Sequence, residues 1–157
     1  MDPKELENLI SDYRWMKREV VRLDELVFRI GGTSGSERSF GVAQYGIEAT
    51  MPKGSSIRSR AELDDLDNRE KKLLKRLERY QSLIKFVEDV EDLIEEPKQQ
   101  VIYSCMMEGL SYRAMGKHIG VSREQVRRIR DELINHLCQN CHLCQSWHYL
   151  KYQKQPV

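Results

Sequence analysis

The 157-residue sequence has no long apolar run. A membrane-spanning helix needs about 20 consecutive apolar residues, so none is expected. A charged start followed by an apolar stretch, the mark of a secretory signal, is also missing. Cysteine is scarce, at four residues. Four thiols without an export signal point to a reducing, cytoplasmic setting rather than a disulfide scaffold. There is no phosphate-binding loop, no pair of catalytic carboxylates in a glycine-rich setting and no Cys–His nucleophile arrangement. No catalytic residue and no cofactor are therefore expected, and an enzyme is the weakest reading. Net charge is scarce as well: 26 Lys and Arg against 25 Asp and Glu leave +1 at pH 7. Nucleic-acid binders are usually basic, so a neutral total argues against one unless the charges are segregated.

They are segregated. Residues 97–157 carry nine basic and four acidic side chains, and residues 61–96 carry seven basic and twelve acidic. Between Ser111 and Arg130 six bases (Arg113, Lys117, Arg123, Arg127, Arg128, Arg130) face one acid, Glu124. Just upstream, Phe86–Glu96 holds six acids and no base. Ionic attraction fades over about 8 Å at physiological salt. A phosphate backbone therefore senses the local patch rather than the total. The acidic stretch is expected to act as an arm that competes for the basic face and restrains non-specific binding.

Apolar spacing sets the organisation. Leu6, Leu9, Tyr13, Met16, Val20, Leu23, Val27 and Ile30 alternate steps of three and four, a heptad seam. The spacing predicts a helix over Pro3–Ile30, with Asp2 as its cap, proline in the first turn and Gly31-Gly32 at its end. Residues 31–60 hold six of the nine glycines and read as a loop. Its less polar middle, 40–54, is either a connector or a segment docked on a helix. A second heptad helix is predicted over Ala61–Glu95, from Leu63, Leu66, Leu73, Leu77, Tyr80, Ile84, Val87 and Ile94. Ser59 and Glu62 offer it a capping box, and Pro97 stops it. Two such helices joined by a loop suit an antiparallel, coiled-coil-like hairpin or self-association into a homo-oligomer.

After Pro97 a short helix is expected to end at Gly109. Leu110–Arg130 then has helix-turn-helix spacing. Met115 and Ile119 face inward, Gly116 stands where two helices cross, and Gly120 permits the left-handed turn. Ser122 and Gln125 make a capping box, and Val126, Ile129 and Leu133 anchor the second helix. Arg123, Glu124, Arg127, Arg128 and Arg130 are left facing outward, with Gln125 partly so. A recognition helix meets base edges through its N-terminal turns. Arg suits guanine, Gln adenine and Glu cytosine. Arg113 and Lys117 on the first helix suit phosphates, as does the helix N-terminus capped by Ser122. The expected DNA-binding set is Arg113, Lys117, Ser122, Arg123, Glu124, Gln125, Arg127, Arg128 and Arg130.

Gly109–Gly116 and Val121–Ile129 resemble region 4 of sigma-70-type factors, above all in Ser122–Ile129. The resemblance covers Glu96 to Leu137. It implies base contacts for Arg123, Glu124 and Arg128, and backbone contacts for Gln125 and Arg127. No promoter-melting region is visible. The order of parts, with the Tyr45–Ser55 stretch containing Met-Pro-Lys-Gly, is similar to the ArpU/RinA-like family of phage and prophage late-gene regulators. That resemblance implies a transcription activator in the cytoplasm of a bacterial host, with duplex DNA as its partner and RNA polymerase as a second. A different class, a phage small terminase subunit for DNA recognition and packaging, also joins a helix-turn-helix to coiled-coil elements. It usually carries its DNA module first.

The tail contains Cys138, Cys141, Cys144 and His148, an apparent zinc set. All four fall within one short stretch, and cysteines at three-residue steps rotate around a helix rather than converging. Three readings stay open: zinc ligands, a frayed helical tail, or an interchain contact through Trp147, Tyr149 and Leu150. The expected fold is all-α: a hairpin over 1–96, a sigma-region-4-like helix-turn-helix domain over 97–137 and a Cys/His-rich tail over 138–157.

Overall fold

The computed structural model describes residues 1–32 and 60–152. Within them it contains six helices and no strand: α1 (Pro3–Gly32), α2 (Arg60–Glu91), α3 (Pro97–Met107), α4 (Tyr112–Ile119), α5 (Arg123–Gln139) and α6 (Cys141–Tyr152). None of them is long and apolar enough to cross a membrane. The Ser59 cap and the 40–54 segment lie outside the described residues. So does the Met-Pro-Lys-Gly motif.

Packing divides the chain into Met1–Val20 with Glu78–Val157, and Val21–Leu77. The division falls inside α1 and α2 rather than at Pro97, where the sequence suggested a boundary. In the first unit, Asp2 Oδ1 accepts from the Lys4 amide at 3.4 Å, a cap of the expected kind. Leu6, Leu9, Ile10 and Met16 are buried. They join Val87, Val90, Ile94, Ile102, Tyr103, Met115, Val126, Leu133 and Leu137 in one core. Ile10 lies off the heptad seam. It is buried because α1 has neighbours on a wider arc than one partner helix would supply.

Helix α2 stops at Glu91, four residues short of Glu95. The chain turns, with Leu93 N–H donating to the Val90 carbonyl and Ile94 N–H to the Glu91 carbonyl, each at 3.2 Å. Ile94 enters the core, and Gln100 Nε2 donates to its carbonyl. Glu96 is extended (φ −80°, ψ 122°) and Pro97 opens α3, as the residue before proline must avoid the helical region. The acidic stretch is therefore not a free arm. Val87, Val90 and Ile94 sit in the core, and Glu88 binds Tyr13 (2.7 Å) and Lys17 (3.1 Å) on α1. The buried Tyr103 hydroxyl donates to the Val87 carbonyl at 2.9 Å, and burial pushes its phenol far above the ordinary tyrosine range.

The tail is not frayed. Helix α6 buries Leu143, and Trp147 lies 5.5 Å from the Phe86 ring. The Trp147 indole donates to Glu5 at 3.3 Å, and Lys151 donates to the same carboxylate at 2.8 Å. Leu143, Trp147 and Leu150 recur at helical spacing, which gives α6 an apolar stripe to dock. In the second unit Leu23 and Leu77 are buried, while Leu63, Leu74 and Phe28 are exposed. Among the described residues the expected seam is thus only partly covered there.

Candidate nucleic-acid interface

Helices α4 and α5 are joined by three residues with defined roles. Ser111 caps α4 by accepting from the Ala114 amide at 3.3 Å. Gly120 ends α4 in the left-handed region, at φ +77°. The Gly116 carbonyl accepts from both the Gly120 and Val121 amides at 2.9 Å. A Cβ at Gly116 would lie 2.7 Å from the Val121 carbonyl oxygen, so the close approach expected at this position is between backbones. Ser122 Oγ accepts from the Gln125 amide at 3.2 Å, and Gln125 Oε1 accepts from the Ser122 amide at 3.1 Å. The capping box is complete. The Gln125 side chain is committed to it through oxygen, leaving its amide nitrogen as a donor.

Val126, Leu133, Ile134 and Leu137 are buried on one side of α5, and Met115 is buried on α4. The opposite surface exposes Ser122, Arg123, Glu124, Gln125 and Arg128 on the turn and α5, and Arg113 and Lys117 on α4. Arg127 is 41% exposed; it pairs with Glu124 at 3.6 Å and lies 5.8 Å over the Tyr112 ring. Arg123 and Arg128 make no ion pair or side-chain hydrogen bond among the described residues.

Arg130 departs from expectation. Its side chain is only 17% exposed and turns toward α1, pairing with Glu7 and Asp131. It also donates to the Tyr112 hydroxyl and lies 5.1 Å over that ring. Tyr112 in turn donates to Glu7 at 3.3 Å. This tyrosine, which the sequence suggests is a mere surface group, sits between two arginines and ties α4 to both α5 and α1. Its partner Glu7 is 123 residues from Arg130. No spacing rule links positions so far apart.

Among the described residues no group of three or more His, Cys, Asp or Glu is placed to hold a metal. Cys144 donates to the Cys138 carbonyl at 3.2 Å, and burial pushes the Cys138 thiol up. His148 stacks on Tyr152, with centroids 5.3 Å apart. These local contacts belong to the α5–α6 junction and to α6 itself.

No protein-family model matches the chain, and no solved structure matches it. It is 50% identical over 142 residues to the uncharacterized protein YqaQ of Bacillus subtilis (strain 168), a match covering 90% of this chain and 92% of that one. At that identity and coverage, the chain belongs to the YqaQ family.

Proposed function

We propose that the chain is a sequence-specific, non-catalytic regulator of transcription that binds duplex DNA. On this reading α4, the Gly120–Ser122 turn and α5 form a helix-turn-helix of the sigma-region-4 kind, with α5 as the recognition helix. The observation that carries it is the exposed set Arg123, Glu124, Arg127 and Arg128 on the first turns of a capped helix, with Arg113 and Lys117 exposed on the preceding helix. Arginine reads guanine through two parallel hydrogen bonds, and lysine and arginine beside it neutralise phosphates. The resemblance to sigma region 4 and to ArpU/RinA-like regulators supports action at phage or prophage promoters, with RNA polymerase as a second partner.

The test is retention of duplexes selected from a random pool. Replacing both Arg127 and Arg128 with alanine is expected to abolish selective retention, with a loss of about 2–6 kcal/mol if each makes one good base contact. Undiminished selectivity in the double variant would sink the assignment. Repeating the selection with RNA polymerase tests the second partner. Ring-shaped oligomers in native mass spectrometry would point instead to a packaging subunit.

A further inference from the structure

A second concentration of positive charge lies on the part of α2 that belongs to the second unit. Arg69, Lys72, Lys75 and Arg76 are all exposed. At 3.6 residues per turn they occupy an arc of about 120°. Leu66, Leu73 and Leu77 project from another side of the helix. From Arg69 to Arg76 the only carboxylate is Glu70, and it falls on the seam side with those leucines. Asp65, one turn before Arg69 on the basic side, makes no ion pair. Nor do Asp24 and Glu25, the exposed carboxylates of α1 in the same unit. None of the four cations has an ion pair or side-chain hydrogen bond among the described residues. By contrast, Lys17 and Lys151 are paired to carboxylates.

Like charges three and four residues apart destabilise a helix, and an external polyanion relieves that repulsion. The stripe rises about 10 Å from Arg69 to Arg76. That equals about three nucleotides of one DNA strand at 3.4 Å each. We propose that this stripe is a second phosphate-backbone contact, holding duplex DNA without reading its sequence. It rests on the reading of the chain as a duplex-DNA binder. Two of its members are lysines, which act on phosphate as point charges on flexible stems.

The test uses the full chain carrying Lys72→Gln, Lys75→Gln and Arg76→Gln, with random-sequence duplex as the probe. Glutamine has a helix propensity close to that of lysine and arginine, and circular dichroism checks that helix content is retained. The slope of log affinity against log salt is expected to fall by about two to three, at about 0.9 per lost phosphate contact. The Arg127→Ala, Arg128→Ala protein should lose sequence preference yet keep the contribution of the stripe. A triple variant with the parental slope overturns the stripe while leaving the DNA reading intact. A parental chain that retains no duplex at any salt overturns both. Loss of binding to phosphatidylserine vesicles in the triple variant, with its DNA slope unchanged, would overturn the proposal in favour of a lipid surface.

Discussion

Gly116 shows how one residue sets the approach of two elements. In a helix interior alanine is favoured over glycine by about 1 kcal/mol, so Gly116→Ala looks beneficial from propensity. The 2.7 Å separation between its Cβ and the Val121 carbonyl oxygen reverses that sign. Backbone must shift to admit the methyl group. We expect a net loss of about 1–3 kcal/mol, the usual cost of overpacking, measured by urea unfolding; equal or higher stability would contradict the geometry. Tyr112 supplies a second case. Tyr112→Phe keeps the ring under Arg127 and Arg130 but removes the hydroxyl that accepts from Arg130 and donates to Glu7. The direct Arg130–Glu7 pair survives. A loss of about 0.5–1.5 kcal/mol is expected, that of one net hydrogen bond, with selective DNA retention kept once the protein is folded. Arg130 itself, legible only as an outward base, is held inward because α1 brings Glu7 to it.

Helix α1 is legible as an element because its apolar residues keep one period over eight positions. The heptad does not say what covers them. Its first turns face α6 through Glu5 and α4–α5 through Glu7. Its next turns meet α2 through Tyr13, Trp15 and Lys17. The Glu88 carboxyl lies below the ordinary range, held there first by the Tyr13 hydroxyl and then by Lys17, against the opposing effect of burial. A carboxylate whose folded pKa is depressed contributes stability that is present above its unfolded value, about 4.3. That contribution is lost as pH falls through the lower folded value. With Glu88 45% exposed, screening limits it to about 0.5 kcal/mol. The stability gap between parent and Glu88→Gln is expected to shrink between pH 6 and pH 3; a pH-independent gap would argue against the pairing. Helix α6 was equally legible in principle, since Leu143, Trp147 and Leu150 form a stripe. The cysteine and histidine repeat drew attention to metal chemistry instead.

Across the chain the charges nearly cancel, at +1, yet exposed Arg113, Lys117, Arg123, Arg127 and Arg128 are gathered on two neighbouring helices. If three or more of them meet phosphates, log affinity for duplex DNA will fall with log salt at a slope steeper than about −2.7. Fluorescence anisotropy between 50 and 300 mM salt measures it. A shallow slope would mean that total charge, not local charge, governs binding.

The linear order of residues was enough to specify the helices, the caps and the glycine turn, because these depend on neighbours within four positions. Ser122 with Gln125, Gly120 after Ile119 and Pro97 at the head of α3 are such local features. It was also enough to concentrate positive charge between Ser111 and Arg130. Where each helix finds its partner is a different matter, since contacts such as Glu7 with Arg130 and Glu5 with Trp147 join residues more than a hundred positions apart. Folding placed the first twenty residues in the same unit as α4 and α5, drew Arg130 in from the expected surface and left Arg123 and Arg128 outside. The physical reason is that a helix's period reveals only that a face must be buried. The three-dimensional packing chooses what buries it, and thereby which charges remain for a ligand.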